Sequence, residues 1–81
     1  MNVITMYTTP TCGFCYMAKE YFKSKKVDFT AKDVTVDPQA YHELIHKSGQ
    51  LGVPVIDIDG TIIVGFDRPR IDAALREKKL V

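Results

Sequence analysis

Val3-Ile4-Thr5-Met6-Tyr7-Thr8-Thr9-Pro10-Thr11-Cys12-Gly13-Phe14-Cys15-Tyr16-Met17-Ala18-Lys19-Glu20-Tyr21-Phe22 carries two hydrophobic periods in succession. Val3 to Tyr7 is a β-branched and aromatic run closed by Thr8-Thr9-Pro10, the pattern of a buried strand that enters a loop. From Phe14 onward the apolar positions are Phe14, Met17, Ala18, Tyr21 and Phe22, spaced i, i+3, i+4, i+7, i+8, which predicts an amphipathic helix. Its first turn contains Cys12 and Cys15, the only two cysteines in the chain. Lys19, Lys23, Lys25 and Lys26 read as its solvated side, and the last three also suit the negative end of a helix dipole.

Downstream, Val27, Phe29 and Ala31 alternate with Asp28, Thr30 and Lys32, predicting a second strand to about Val34. Asp37-Pro38 supplies an N-cap with proline at the first helical position. Tyr41, Leu44, Ile45 and Ser48 then line one face of a second helix, which Gly49 is placed to end. Val55 to Ile58 and Thr61 to Val64 flank Asp59-Gly60, a strong signal for a hairpin with a type I′ turn. Asp67 caps a last helix, with Pro69 in its first turn, Ile71, Ala74 and Leu75 on its apolar face, and a frayed basic end at Lys78-Lys79.

The predicted order is β-α-β-α-β-β-α, an α/β fold in which three helices flank a four-stranded mixed sheet. The opening βαβ unit is parallel and right-handed, and the closing hairpin is antiparallel. With 81 residues the chain reads as one domain, residues 1–81. A hydrophobic content of 46% and a charged content of 26% exclude a disordered or collagen-like chain. The net charge of +1 leaves no footprint for nucleic acid or an acidic membrane surface, so neither is expected as a partner. The N-terminal residues show no basic, apolar and small-residue succession of a secretory signal, and no stretch has the length of a membrane span, so the expected location is the cytoplasm.

The cysteine pair makes a poor staple. Closing a four-residue loop is worth only about 2 kcal/mol in the loop-entropy model, against about 3 for fifteen residues. Small secreted scaffolds also carry four or more cysteines. A chemical role therefore fits better than a structural one. A zinc site with His42 and His46 is the nearest metal alternative, but 26 residues containing a whole strand separate the two pairs, against the roughly 12 to 15 of a zinc finger.

A C-x-x-C at the start of the first helix, with Val53-Pro54 just before the third strand, resembles the thioredoxin fold and in particular the glutaredoxin family. The matching pieces are Tyr7-Thr8, Thr11-Cys12-Gly13-Phe14-Cys15, Ser48-Gly49, Val53-Pro54, and Gly65 with Asp67, spread over nearly the whole chain. The resemblance implies a monomeric dithiol thiol-disulfide oxidoreductase. In it Cys12 is the exposed nucleophile, Cys15 the buried resolving thiol, and the Val53-Pro54 bond is cis and faces them. The Val53 backbone would pair with an extended substrate segment, and the substrates would be protein or glutathione mixed disulfides. No tightly bound cofactor is implied.

Gly13 stands where many members have proline, which predicts a looser turn and a shifted redox potential. Backbone N–H groups of Phe14 and Cys15, with the Cys15 thiol, are the expected donors to the Cys12 sulfur. Thr9, Gly52 and Val64-Gly65-Phe66-Asp67 occupy positions where glutathione-binding members typically show a basic residue, a threonine and a Gly-Gly pair before an acid. Only Val53, Gly65 and Asp67 of that binding site remain.

Gly65-Phe66 followed by Arg68-Pro69 instead resembles the small redoxins that serve ribonucleotide reductase and take electrons from thioredoxin reductase. Two reductants thus stay open. If glutathione is used, Arg68 or Lys19 should supply the charge for its carboxylates. Cys-Gly-Phe-Cys also resembles the Cys-Gly-Phe-Ser signature of iron-sulfur glutaredoxins, which keeps glutathione-assisted cluster binding as a rival. Tyr7 reads as core rather than catalytic, Phe14 as a substrate-facing aromatic, and Phe66 as either a core cap or a partner contact.

Overall fold

A computed structural model describes residues 3–50 and 52–80. The order is β1 (Ile4–Thr8), α1 (Gly13–Ser24), β2 (Thr30–Asp33), α2 (Pro38–Ser48), β3 (Val55–Ile58), β4 (Thr61–Val64) and α3 (Arg68–Glu77). The strands line up as β2-β1-β3-β4, with β1 parallel to β2 and antiparallel to β3, and β3 antiparallel to β4. This is the mixed-sheet architecture that the sequence predicts.

Alternation along the strands divides the interior in two. Ile4, Met6, Ile56, Ile58 and Ile63 point to one side, where Ala18 and Phe22 of α1 and Ile71, Ala74 and Leu75 of α3 close over them. Tyr7 and Val55, opposite each other in register, point to the other side and meet Ala40 and Leu44 of α2. The Asp59-Gly60 turn has positive φ at both residues, 48° and 96°, as a type I′ turn requires. Asp37 and Asp67 cap α2 and α3 as expected, each accepting backbone N–H bonds through a carboxylate oxygen.

Several boundaries and faces depart from expectation. β2 begins at Thr30, not Val27, because Val27 is used to finish α1. Lys26 sits at a left-handed φ of 58°, its N–H donates to Lys23 O, and Val27 N–H reaches back to Phe22 O at 3.2 Å. That is a Schellman ending, with lysine where glycine is usual. Val27 and Phe29 still pack on the core, but Ala31, on an edge strand, is exposed.

The frayed end expected at Lys78-Lys79 is instead a second such cap. Lys79 has φ 58°, and Leu80 N–H donates to Leu75 O at 2.8 Å while its side chain joins the core. On α1 the buried arc runs through Cys15, Ala18 and Phe22, which turns Phe14 and Met17 outward to 62% and 50% exposure. On α2 the arc is centred on Ala40 and Leu44, so Tyr41 is exposed rather than on the buried face.

Candidate active site

The loop between β1 and α1 delivers Cys12 to the N-cap position of the helix, in extended conformation. Ser, Thr, Asp or Asn usually holds this place, because the side chain must accept a hydrogen bond from a free amide of the first turn. Here the Cys12 sulfur does so, taking the Cys15 N–H at 3.1 Å. Of the two amide donors expected, Cys15 supplies the bond and Phe14 does not. The sulfur also faces the Val53 carbonyl at 3.8 Å. The Val53-Pro54 bond is cis, and Pro54 is fully buried. Segments 41 residues apart in sequence thus meet at one sulfur atom.

Cys12 is partly exposed and Cys15 is 1% exposed, and both are free thiols. Burial raises the Cys15 thiol pKa, and a hydrogen bond with Cys12 raises it further, against a lowering hydrogen bond from the buried Thr8 hydroxyl. One sulfur is therefore open at a helix N-terminus, where negative charge is favoured. The other is held as a neutral thiol beneath it.

Gly13 opens the helix with no left-handed φ. A Cβ at this position would meet nothing within 4 Å. Gly65, by contrast, needs its freedom: it has φ 84°, and its N–H bonds Pro54 O at 2.8 Å, tying the turn into α3 to the cis-proline. Asp67 Oδ1 caps α3 by accepting from Arg70 N–H at 3.3 Å. Phe66 lies edge-on to Tyr21, ring centroids 5.9 Å apart, partly buried on the core and partly open.

Arg68 reaches toward α1. Its guanidinium stacks 4.8 Å from the centroid of the Tyr21 ring, on the third turn of α1. The other candidate cation, Lys19, acts on Asp33, whose carboxyl is held low first by the Thr35 hydroxyl and amide and then by this lysine. His42 and His46 are exposed on α2, across the sheet from α1. Among the described residues, no three His, Cys, Asp or Glu side chains gather in a metal-binding arrangement. No helix among them is long and apolar enough to cross a membrane.

Two features escape sequence reasoning. Tyr16, 64% exposed, joins Phe14 and Met17 in an uncovered apolar strip along α1. Tyr7 is core, as expected, but its hydroxyl anchors a polar network: it donates to Glu43 at 2.7 Å and accepts from Lys47 at 2.9 Å. Lys47 in turn pairs with Asp57 at 2.7 Å, and Glu43 with Lys32 at 3.1 Å. The Glu43 to Lys47 spacing and the inward register of Asp57 were the available signals.

An N-cap cysteine, a second cysteine one turn on, and a cis-proline loop against the first sulfur define a redox protein of the thioredoxin fold. The Glutaredoxin family model matches residues 4–63. A glutaredoxin-like 8.6 kDa protein in the rubredoxin operon of Clostridium pasteurianum is 47% identical over 75 residues, covering 93% of this chain and 100% of that one. Glutaredoxin 3 of Escherichia coli (strain K12) is 36% identical over 67 residues, covering 83% and 81%. The crystal structure of the thioredoxin-like protein BC3987 aligns with a TM-score of 0.83 at 30% identity, covering 89% and 99%. The chain belongs to the glutaredoxin family.

Proposed function

We propose that the protein is a dithiol thiol-disulfide oxidoreductase that reduces protein disulfides. The observation that carries this reading is the unequal treatment of the two sulfurs. Cys12 is partly exposed, accepts an amide hydrogen bond and faces the Val53 carbonyl, whereas Cys15 is buried directly behind it. In the reaction, the Cys12 thiolate attacks one sulfur of a substrate disulfide. The substrate S–S bond breaks, the other sulfur leaves with the electron pair, and a mixed disulfide forms on Cys12. Cys15 then loses its proton and attacks the Cys12 sulfur. That step closes the Cys12–Cys15 disulfide and releases the second substrate thiol, so two electrons pass from the protein to the substrate.

Val53 N–H has no hydrogen-bond partner among the described residues, which suits it to an extended substrate strand alongside the exposed Gly13 and Phe14, while the buried Pro54 fixes the Val53 backbone rather than touching substrate. Cys15 at the back of Cys12 favours dithiol exchange over cluster bridging. For regeneration, a dithiol protein reductase of the thioredoxin reductase kind fits better than glutathione. The Arg68 guanidinium lies over the Tyr21 ring, nine residues along α1 from Cys12, farther than the carboxylates of a glutathione bonded there extend.

Cys12→Ser should abolish reduction of an insulin disulfide. Cys15→Ser should stop at a trapped mixed disulfide visible by mass spectrometry. Full insulin reduction by Cys15→Ser would sink the dithiol mechanism, and turnover with glutathione and glutathione reductase but none with thioredoxin reductase would reverse the choice of reductant.

A further inference from the structure

Between α1 and the turn into α3 runs a groove of about 590 Å³, bordered by Tyr16, Met17, Tyr21, Lys25, Phe66 and Arg68. Its near end adjoins a small apolar hollow that Met17 shares with Gly13 and Phe14, the two residues that follow Cys12 in the chain. Phe14, Tyr16 and Met17 are each at least half exposed and lie within four residues of one another, an apolar strip of the kind that marks a protein contact. At the far end two cations share one ring. Arg68 lies 4.8 Å and Lys25 Nζ 5.6 Å from the centroid of Tyr21. Neither has a carboxylate in ion-pair reach among the described residues. Glu20 also borders the groove but pairs with Lys23 at 3.3 Å, and Asp72 accepts from the Tyr21 hydroxyl.

Distance then selects the occupant. Nine residues of α1 separate Cys12 from Tyr21, about 13 Å along the axis at 1.5 Å per residue. An extended chain covers that in about four residues. Glutathione, with its cysteine in the middle of three residues, reaches roughly half as far from a sulfur bonded to Cys12.

We infer that this groove docks an extended segment of the partner protein, apolar beside its cysteine and carrying a carboxylate about four residues away that pairs with Arg68 and Lys25. This rests on the exchange reading above and adds the partner's chemistry to it. Charges at the rim of such a contact act mainly on encounter rate and salt dependence.

The test uses ten-residue peptides whose single cysteine is a mixed disulfide with thionitrobenzoate, and the Cys15→Ser protein. Attack by Cys12 on the peptide sulfur expels thionitrobenzoate, followed by its colour. One peptide carries phenylalanine two residues and glutamate four residues on either side of the cysteine, and a second carries lysine in place of glutamate. A third probe is the same disulfide of cysteine alone. The glutamate peptide is expected to react at least about threefold faster than the lysine peptide at low salt, with the gap closing in high salt. Lys25→Glu should reverse that preference, and Tyr16→Ser should slow both peptides, while neither changes the rate with the cysteine probe.

Equal rates for the two peptides, or variants that slow all three probes alike, would overturn the docking inference and leave the exchange chemistry standing. No thionitrobenzoate release from any probe would overturn both.

Discussion

Towards α1 and α3 the sheet presents Ile4, Met6, Ile56, Ile58 and Ile63, none more than 2% exposed, and no ionisable side chain is buried with them. Towards α2 it presents Tyr7, Val55 and Asp57, and the helix answers with Ala40, Leu44 and the charged pair Glu43 and Lys47. Two helices cover the first face and one covers the second. A single short helix excludes less water, so the rim of the second face is finished with polar atoms that bond one another. The first face has a dry apolar centre, with the Tyr21–Asp72 hydrogen bond joining α1 to α3 at its rim, and the second couples its packing to a charged network.

Truncation on the dry face should cost the most. Phe22→Ala is expected to lose about 3–5 kcal/mol, read from urea unfolding midpoints, since both helices border the cavity. Leu44→Ala under α2 should lose about 2–3 kcal/mol, because one helix can settle inward. Equal losses would mean that α2 is as rigidly held as its counterparts. Next comes Asp57→Leu, which strands the half-buried Lys47 and should cost about 1–3 kcal/mol. Adding Lys47→Met should recover most of the loss in the same unfolding assay, as expected when a pair is replaced by apolar residues of similar volume.

On the α2 face stability should respond to pH through Glu43 and Lys47. The Tyr7 hydroxyl and then Lys32 lower the Glu43 carboxyl pKa. A lowered acid contributes stability above its unfolded value, about 4.3, and that contribution disappears as pH falls through the folded value. For Lys47, burial pulls the pKa down, but hydrogen bonds with Asp57 and Tyr7 outweigh it and leave the net shift upward. Its contribution is complete below about 10.4 and is lost as pH rises further. Glu43→Gln should therefore flatten the acid arm of a stability-against-pH curve, whereas Phe22→Ala should lower the curve without changing its shape.

The smallest effect is expected at the exposed first turn of α1, outside both faces. Gly13→Pro places proline at the first helical position, after a residue already extended and with space for the ring. It should raise stability by about 0.4–1 kcal/mol through the unfolded chain, measured in the same way.

Element order, both acidic N-caps, the Asp59-Gly60 turn and the C-x-x-C were legible because each depends on local chemistry that a few neighbouring residues carry. The ends of α1 and α3 were not. Both stop on lysines in the left-handed region, and only Gly49 of α2 advertises its stop. The α1 stripe was misplaced by one position because Cys15, weakly hydrophobic on paper, takes the inward slot and rotates Met17 out. The Tyr7 network needed tertiary knowledge, since its members come from β1, β2, α2 and β3. Within the site, the two sulfurs were visible in sequence, but the direction of Arg68 depends on Tyr21, an aromatic ring supplied by another helix.

The sulfur of Cys12 has a further property as the cap of α1. Any bond it forms, to another sulfur or to an alkylating carbon, changes the electron density on the atom that receives the Cys15 N–H and so alters that contact. The first turn of the helix therefore registers the chemical state of the thiol. The amide proton of Cys15 offers an NMR reporter for the occupancy of Cys12, readable without any added probe.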